Sequence, residues 1–180
     1  MKALCLIIAL FSFASVSFTS VATEPALHPE LEIFRPFLES HWEGDLTEPG
    51  KEQKMIDRSV WSRALNGQAI KTVHSINDGE YGGETMIFWD EKQQKIAYYY
   101  FTTAGFYTHG TMNYDKATKA IEALENVENN AQGITQVRSH SVLDQSGTLE
   151  VSSEYLQKGQ WVKGHSALYK RVPKTEVKFR

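Results

Sequence analysis

Turn signals recur about every 8–15 residues from His41 to the C-terminus, and this rhythm constrains the fold more than any other feature of the chain. Asn66-Gly67 separates MIDRSVWSRAL from QAIKTVHSI. Asp78-Gly79 precedes the run from Gly83 to Trp89, and Asp90-Glu91-Lys92 leads into KIAYYYFTT. Ala104-Gly105 leads into FYTHGTMNY. Asp115-Lys116 and Asn129-Asn130 bracket AIEALENVE. ITQVRSHSVL ends at Asp144-Gln145-Ser146-Gly147, and Lys158-Gly159 joins TLEVSSEYL to QWVKGHSALYKRV. With HWEGDLT in front, the segments make roughly ten strands, an estimate read from that turn spacing. Short turns join neighbours, so the order is antiparallel and up-and-down. A sheet of this size closes into a barrel, which removes its exposed edges. Ala120 to Glu128 has some helix propensity, but its place between two turns assigns it to a strand.

The stretch before the strands, PALHPELEIFRPFLES, has a different period. Leu31, Phe34 and Leu38 recur at helical spacing with charged residues between them. Pro29 suits a first helical turn, and Pro36 disturbs a long helix. One short or kinked N-terminal helix is expected.

The N-terminus itself reads MKALCLIIALFSFASVSFTSVATEP. One lysine, an apolar run to about Val16 and the small-x-small site Ser20-Val21-Ala22 are the layout of a secretory signal peptide over residues 1–22. The apolar run is too short and too rich in Ser and Thr for a membrane anchor. Residues 23–180 then form one domain, long enough to hold a core without disulfides. Its only cysteine, Cys5, lies in the removed segment. Without Lys2, 18 basic residues face 22 acidic ones, a net charge of −4 with no basic cluster, which argues against nucleic acid as a partner. The mature chain is expected to be soluble, without a membrane span, and periplasmic or extracellular.

Within the strands, IAYYYFTTAGFY places six aromatic residues between positions 98 and 107. Alternation puts Ile96, Tyr98 and Tyr100 on one face and Ala97, Tyr99 and Phe101 on the other. One face lines the barrel interior. The other is outside and barely polar, so the N-terminal helix or a second subunit should cover it, and a homodimer across this sheet is the expectation. In TLEVSSEYL, Leu149, Val151, Ser153 and Tyr155 share the inner face, opposite an acidic face. An interior with such groups is partly polar.

Motifs for chemistry are sparse. His41, His74, His109, His140 and His165 fall on different strands, and no pair has metal-ligand spacing. No G-x-S-x-G occurs, and no cysteine nucleophile remains after export. Glu43, Asp45, Asp57 and Glu84 stand near one rim, where a pair of carboxylates would serve acid/base chemistry.

FRPFLESHWEGDL, in which a short helix runs into a strand carrying Trp42 and Gly44, resembles the start of lipocalin-like barrels and of nitrobindin-like secreted bacterial domains of largely unknown function. Ser40 stands where lipocalins usually carry a glycine two residues before the tryptophan. The resemblance implies that Arg171, from HSALYKRV, packs over Trp42 and closes one barrel end. It also implies that His165, shortly before Lys170 and Arg171, would be the iron ligand if the barrel held haem.

The resulting expectation is a barrel that binds a small apolar or amphipathic ligand. Its lumen candidates are Tyr98, Tyr100, His109, Arg138, Tyr155, His165 and Tyr169. A haem or metal protein using His165 is the first alternative, with no other metal site or cofactor expected. An enzyme with lumenal acid/base residues is the second.

Overall fold

Where the expected turns fall, the backbone takes the left-handed conformations that end strands: Asn66, Asp78 and Lys158 have positive φ, as do Gly67, Gly79, Gly105, Gly147 and Gly159. The structure is a computed structural model that describes residues 26–128 and 130–180. The signal-peptide reading, over residues 1–22, and Asn129 lie outside the described residues.

The strands are β1 (Ser40–Asp45), β2 (Ile56–Ala64), β3 (Ala69–Ile76), β4 (Tyr81–Asp90) and β5 (Lys95–Thr102). They continue as β6 (Tyr107–Asp115), β7 (Ala120–Asn126), β8 (Ile134–Leu143), β9 (Leu149–Gln157) and β10 (Gln160–Val172). Each pairs antiparallel with its sequence neighbour, and β1 pairs with β10, so the ten strands form a closed barrel. The expected all-β, up-and-down barrel is therefore observed, with β7 as a strand. Register irregularities interrupt β10 between Lys163 and Ser166, and β8 between Ile134 and Gln136.

The N-terminal helix is a 3-10 helix over Pro29–Phe37, capped by the His28 side chain, whose Nδ1 accepts from the Glu30 amide. This changes which residues it buries. With three residues per turn, Leu31, Phe34 and Phe37 align on one face, and all three are buried. Leu38, expected on that face at α-helical spacing, has already left the helix in an extended conformation.

The helix plugs one end of the barrel. Its apolar face joins Trp42, Ile70, Ile87, Ile96, Ile121 and Leu149 in a single core. Phe37 packs against Trp42 and Trp61, with ring centroids 6.1 and 5.3 Å away. The segment before the helix is tied down by backbone contacts: the His28 amide donates to the Gly67 carbonyl at 2.8 Å. Gly67 has φ +87°, and any side chain there would collide with the Ala26 carbonyl, so both conformation and space demand glycine.

Because the helix occupies the barrel end, it leaves the outer aromatic face uncovered. Tyr99 (42%), Phe101 (53%), Phe106 (48%) and Tyr107 (58%) remain substantially exposed. Tyr99, Phe101 and Tyr107 form a continuous cluster in which Tyr99 contacts Phe88, Phe101, Tyr107 and His109. Among the described residues, no helix is long and apolar enough to cross a membrane.

Candidate ligand site in the barrel lumen

Period-two alternation divides each strand between wall and lumen, and the lumen itself divides along its length. At the helix end it is apolar. There the Arg171 guanidinium lies 4.7 Å from the Trp42 ring centroid and donates through Nη2 to the Pro36 carbonyl at 2.6 Å. The Trp42 indole NH donates to the Phe37 carbonyl at 3.4 Å. Arg63 is committed at the same end, donating from Nε to the Ala26 carbonyl at 2.8 Å.

The opposite end is polar. Tyr169, on β10, donates its hydroxyl to Asp57 Oδ2 on β2 at 3.0 Å. Asp57 Oδ1 lies 2.8 Å from His74 Nδ1 on β3. His74 Nε2 lies 2.7 Å from the Tyr100 hydroxyl on β5, and Tyr100 donates to the Tyr81 hydroxyl on β4 at 3.1 Å. One hydrogen-bonded chain thus crosses the lumen through five strands. Burial pushes the Tyr169 and Tyr100 hydroxyls well above the ordinary tyrosine value, and the Asp57 charge adds to both shifts. These phenols stay protonated and available as donors.

A second cluster surrounds Glu125 on β7. Burial raises its carboxyl above the usual range, and Thr108 and Tyr98 oppose the shift. Tyr98 donates to Glu125 Oε2 at 3.4 Å. Thr108 lies close to this carboxyl, but its Oγ1 makes no hydrogen bond of acceptable geometry, although Thr108 is only 3% exposed.

The third cluster is His165. Its Nδ1 lies 2.8 Å from the Tyr155 hydroxyl and 3.1 Å from Ser153 Oγ. Desolvation lowers its pKa, and the Asp57 charge opposes that. Yet His165 is exposed. Water therefore reaches this histidine from the open end. With Nδ1 held by Tyr155, Nε2 is the nitrogen that an iron would take, and such an outer-shell partner orients a metal-bound imidazole. Among the described residues, no three His, Cys, Asp or Glu side chains group as a metal site.

Four inner tyrosines share one packing device. A side-chain carbon at Gly44 would lie 2.7 Å from the Tyr169 ring, and one at Gly83 would lie 2.6 Å from the Tyr100 ring. At Gly110 it would meet the Tyr98 hydroxyl at 2.8 Å, and at Gly164 the Tyr155 ring at 2.8 Å. Each tyrosine lies across a glycine, and two of these glycines, Gly44 and Gly110, stand on a neighbouring strand in register with the tyrosine that covers them. Glycine in a strand commonly marks such a close approach.

Of the sequence candidates, Tyr98, Tyr100, Tyr155, His165 and Tyr169 face the lumen. His109 and Arg138 do not, and their assignment to the lumen is corrected. His109 is in register with Tyr99, on the face opposite Tyr98 and Tyr100, and its ring packs on Tyr99. Arg138 pairs with Glu154 and lies 4.4 Å from the Trp161 ring centroid, on the outer wall. Of the rim carboxylates only Asp57 is inside. Glu43 pairs with Arg58, Asp45 with Lys54, and Glu84 with Lys71.

The sequence reading missed His74, Tyr81, Thr108 and Glu125 as members of the site. A signal existed for His74: in QAIKTVHSI it shares a face with Ile70 and Thr72, while Lys71 marks the other face as outside. Glu125 had none, because Glu122 and Glu125 lie on opposite faces of β7.

No protein-family model matches the sequence, and no curated protein matches it. The closed ten-stranded antiparallel barrel is itself consistent with a lipocalin-like fold.

Proposed function

We propose that the protein binds one small amphipathic molecule in its lumen. The apolar part would rest toward the Trp42 end, and the polar part among the tyrosine hydroxyls, Asp57, Glu125 and His165. The observation that carries this reading is the lengthwise division of the inner wall into an apolar closed end and a hydrogen-bonding open end. Ligand sites typically combine apolar walls with a few placed polar groups, and barrels of about this strand number hold one small ligand. Native mass spectrometry of the protein isolated from its own cells tests it. A non-covalent adduct that denaturation releases is expected. A chain that never carries an adduct, and whose tryptophan fluorescence ignores every amphiphile offered, overturns it.

A second reading rests on the Asp57–His74–Tyr100 chain. A carboxylate that orients a histidine, which in turn contacts a hydroxyl, is an arrangement for moving a proton. In that case the bound molecule is a substrate of an acid/base reaction. Turnover that Asp57→Asn abolishes while binding persists would establish it.

Export rests on the N-terminal sequence and belongs to the same proposal, with a periplasmic or extracellular barrel as its consequence. The uncovered aromatics of β4, β5 and β6 support self-association through that face, since large apolar patches on a monomer are uncommon.

A further inference from the structure

We propose that the lumenal ligand carries a positively charged head, a protonated amine or quaternary ammonium, seated at Glu125 against the rings of Tyr98 and Tyr100. The inference rests on the amphiphile reading and adds the charge of the head group.

Charge is distributed unevenly along the lumen. Two carboxyl groups, Asp57 and Glu125, stand on opposite walls of the open half: Asp57 is buried with both oxygens engaged, by His74 and Tyr169, whereas Glu125 has no cationic partner among the described residues. No inward lysine or arginine on the described strands balances them there. The two inward arginines, Arg63 and Arg171, are both at the closed end, donating to the backbone carbonyls of Ala26 and Pro36. His74 is held between Asp57 and Tyr100, and desolvation disfavours the charged form of His165. An anionic head would meet the Glu125 carboxyl without a counter-charge. A cationic head would meet Glu125 and the faces of electron-rich rings, the setting in which ammonium groups are recognised.

A separate observation points to a ligand at the same place. Thr108 Oγ1 is buried close to the Glu125 carboxyl but makes no hydrogen bond of acceptable geometry. Buried hydroxyls almost always find one. An N–H of an amine head between Thr108 and Glu125 would complete both groups, and a quaternary head would complete only the charge.

The test compares three probes of one chain length below micelle formation: decyltrimethylammonium, decanoate and decanol. Calorimetry on the unmodified protein should show the cation binding at least about tenfold more tightly than decanol, the gain expected of a charge-assisted contact, with decanoate weakest. Decylamine at neutral pH should bind at least as well as the quaternary probe. Glu125→Gln should bring the cation to within about threefold of decanol. If decanoate equals or exceeds the cation, the head-group assignment falls and the amphiphile reading stands. If none of the three binds, both fall. The order of affinities is read on the unmodified protein, so a variant that fails to fold does not protect the proposal.

Discussion

Asp57 Oδ1 and His74 Nδ1 lie 2.8 Å apart on adjacent strands, and the other Asp57 oxygen accepts from Tyr169 at 3.0 Å. One buried carboxylate therefore anchors side chains from both sides of the seam near which β1 meets β10 and β2. Asp57→Ala leaves the Tyr169 hydroxyl and His74 Nδ1 without a partner at once. Leaving a buried polar group unsatisfied costs about 1–3 kcal/mol, so a loss of about 2–4 kcal/mol is expected in urea unfolding. Asp57→Asn keeps one acceptor and should lose less.

Glu125 should reveal itself through pH. Its carboxyl is raised by burial, so the folded state holds the proton more tightly than the unfolded chain does. The stability this gives is present below the ordinary glutamate value and is lost as pH rises through the raised one. Glu125→Gln, which can still accept from Tyr98, should therefore raise Tm at neutral pH. The gain should shrink as pH falls through the raised value toward the ordinary glutamate range, below which it levels off. Thermal melts across pH 4 to 8 check it, and a Tm difference independent of pH would contradict it.

Trp42 has no exposed surface, and truncating a buried tryptophan costs about 3–5 kcal/mol. Trp42→Ala should lose that much. Arg171→Ala should lose less, because the residue is exposed and less of its side chain is buried. The two should couple in a double-mutant cycle, since the guanidinium stacks on the indole at 4.7 Å. Strict additivity would show the stacking to be energetically empty.

Haem separates two uses of His165. With polar groups crowding the open half, haem added to the protein should give no Soret band that depends on His165. A band that His165→Ala removes would instead favour an iron-binding barrel.

On the outer face, Phe101 is 53% exposed and packs against Tyr99 and Tyr107. If two copies meet there, Phe101→Glu should convert a dimer to a monomer in sedimentation at tens of micromolar. A monomeric parent protein would show the patch to serve another contact.

The strands were legible in the sequence because turn chemistry is local: Asn66-Gly67 or Lys158-Gly159 ends a strand whatever surrounds it. Facing was legible only where a strand carried a charge on one side, as Lys71 does for β3. In FYTHGTMNY both faces mix polar and apolar residues, so the orientation of His109 depended on its register with Tyr99 and not on its own neighbours. The 3-10 helix was misread for a related reason. Leu31, Phe34 and Leu38 fit 3.6 residues per turn as well as Leu31, Phe34 and Phe37 fit 3.0, and the packing against Trp42 and Trp61 decides between them. Glu125 and Thr108 were invisible because their meaning lies in distance between strands.

The tyrosines that lie over Gly44, Gly83, Gly110 and Gly164 make the cavity respond unequally to random change. Replacing a tyrosine opens space at the cost of one ring. Replacing any of the four glycines inserts atoms beneath a ring and displaces it, whatever residue arrives. At these positions single substitutions can therefore enlarge the lumen gradually but cannot shrink it by small steps. A lineage of such barrels would drift toward larger guests, and a return to smaller ones would require two simultaneous changes on adjoining strands.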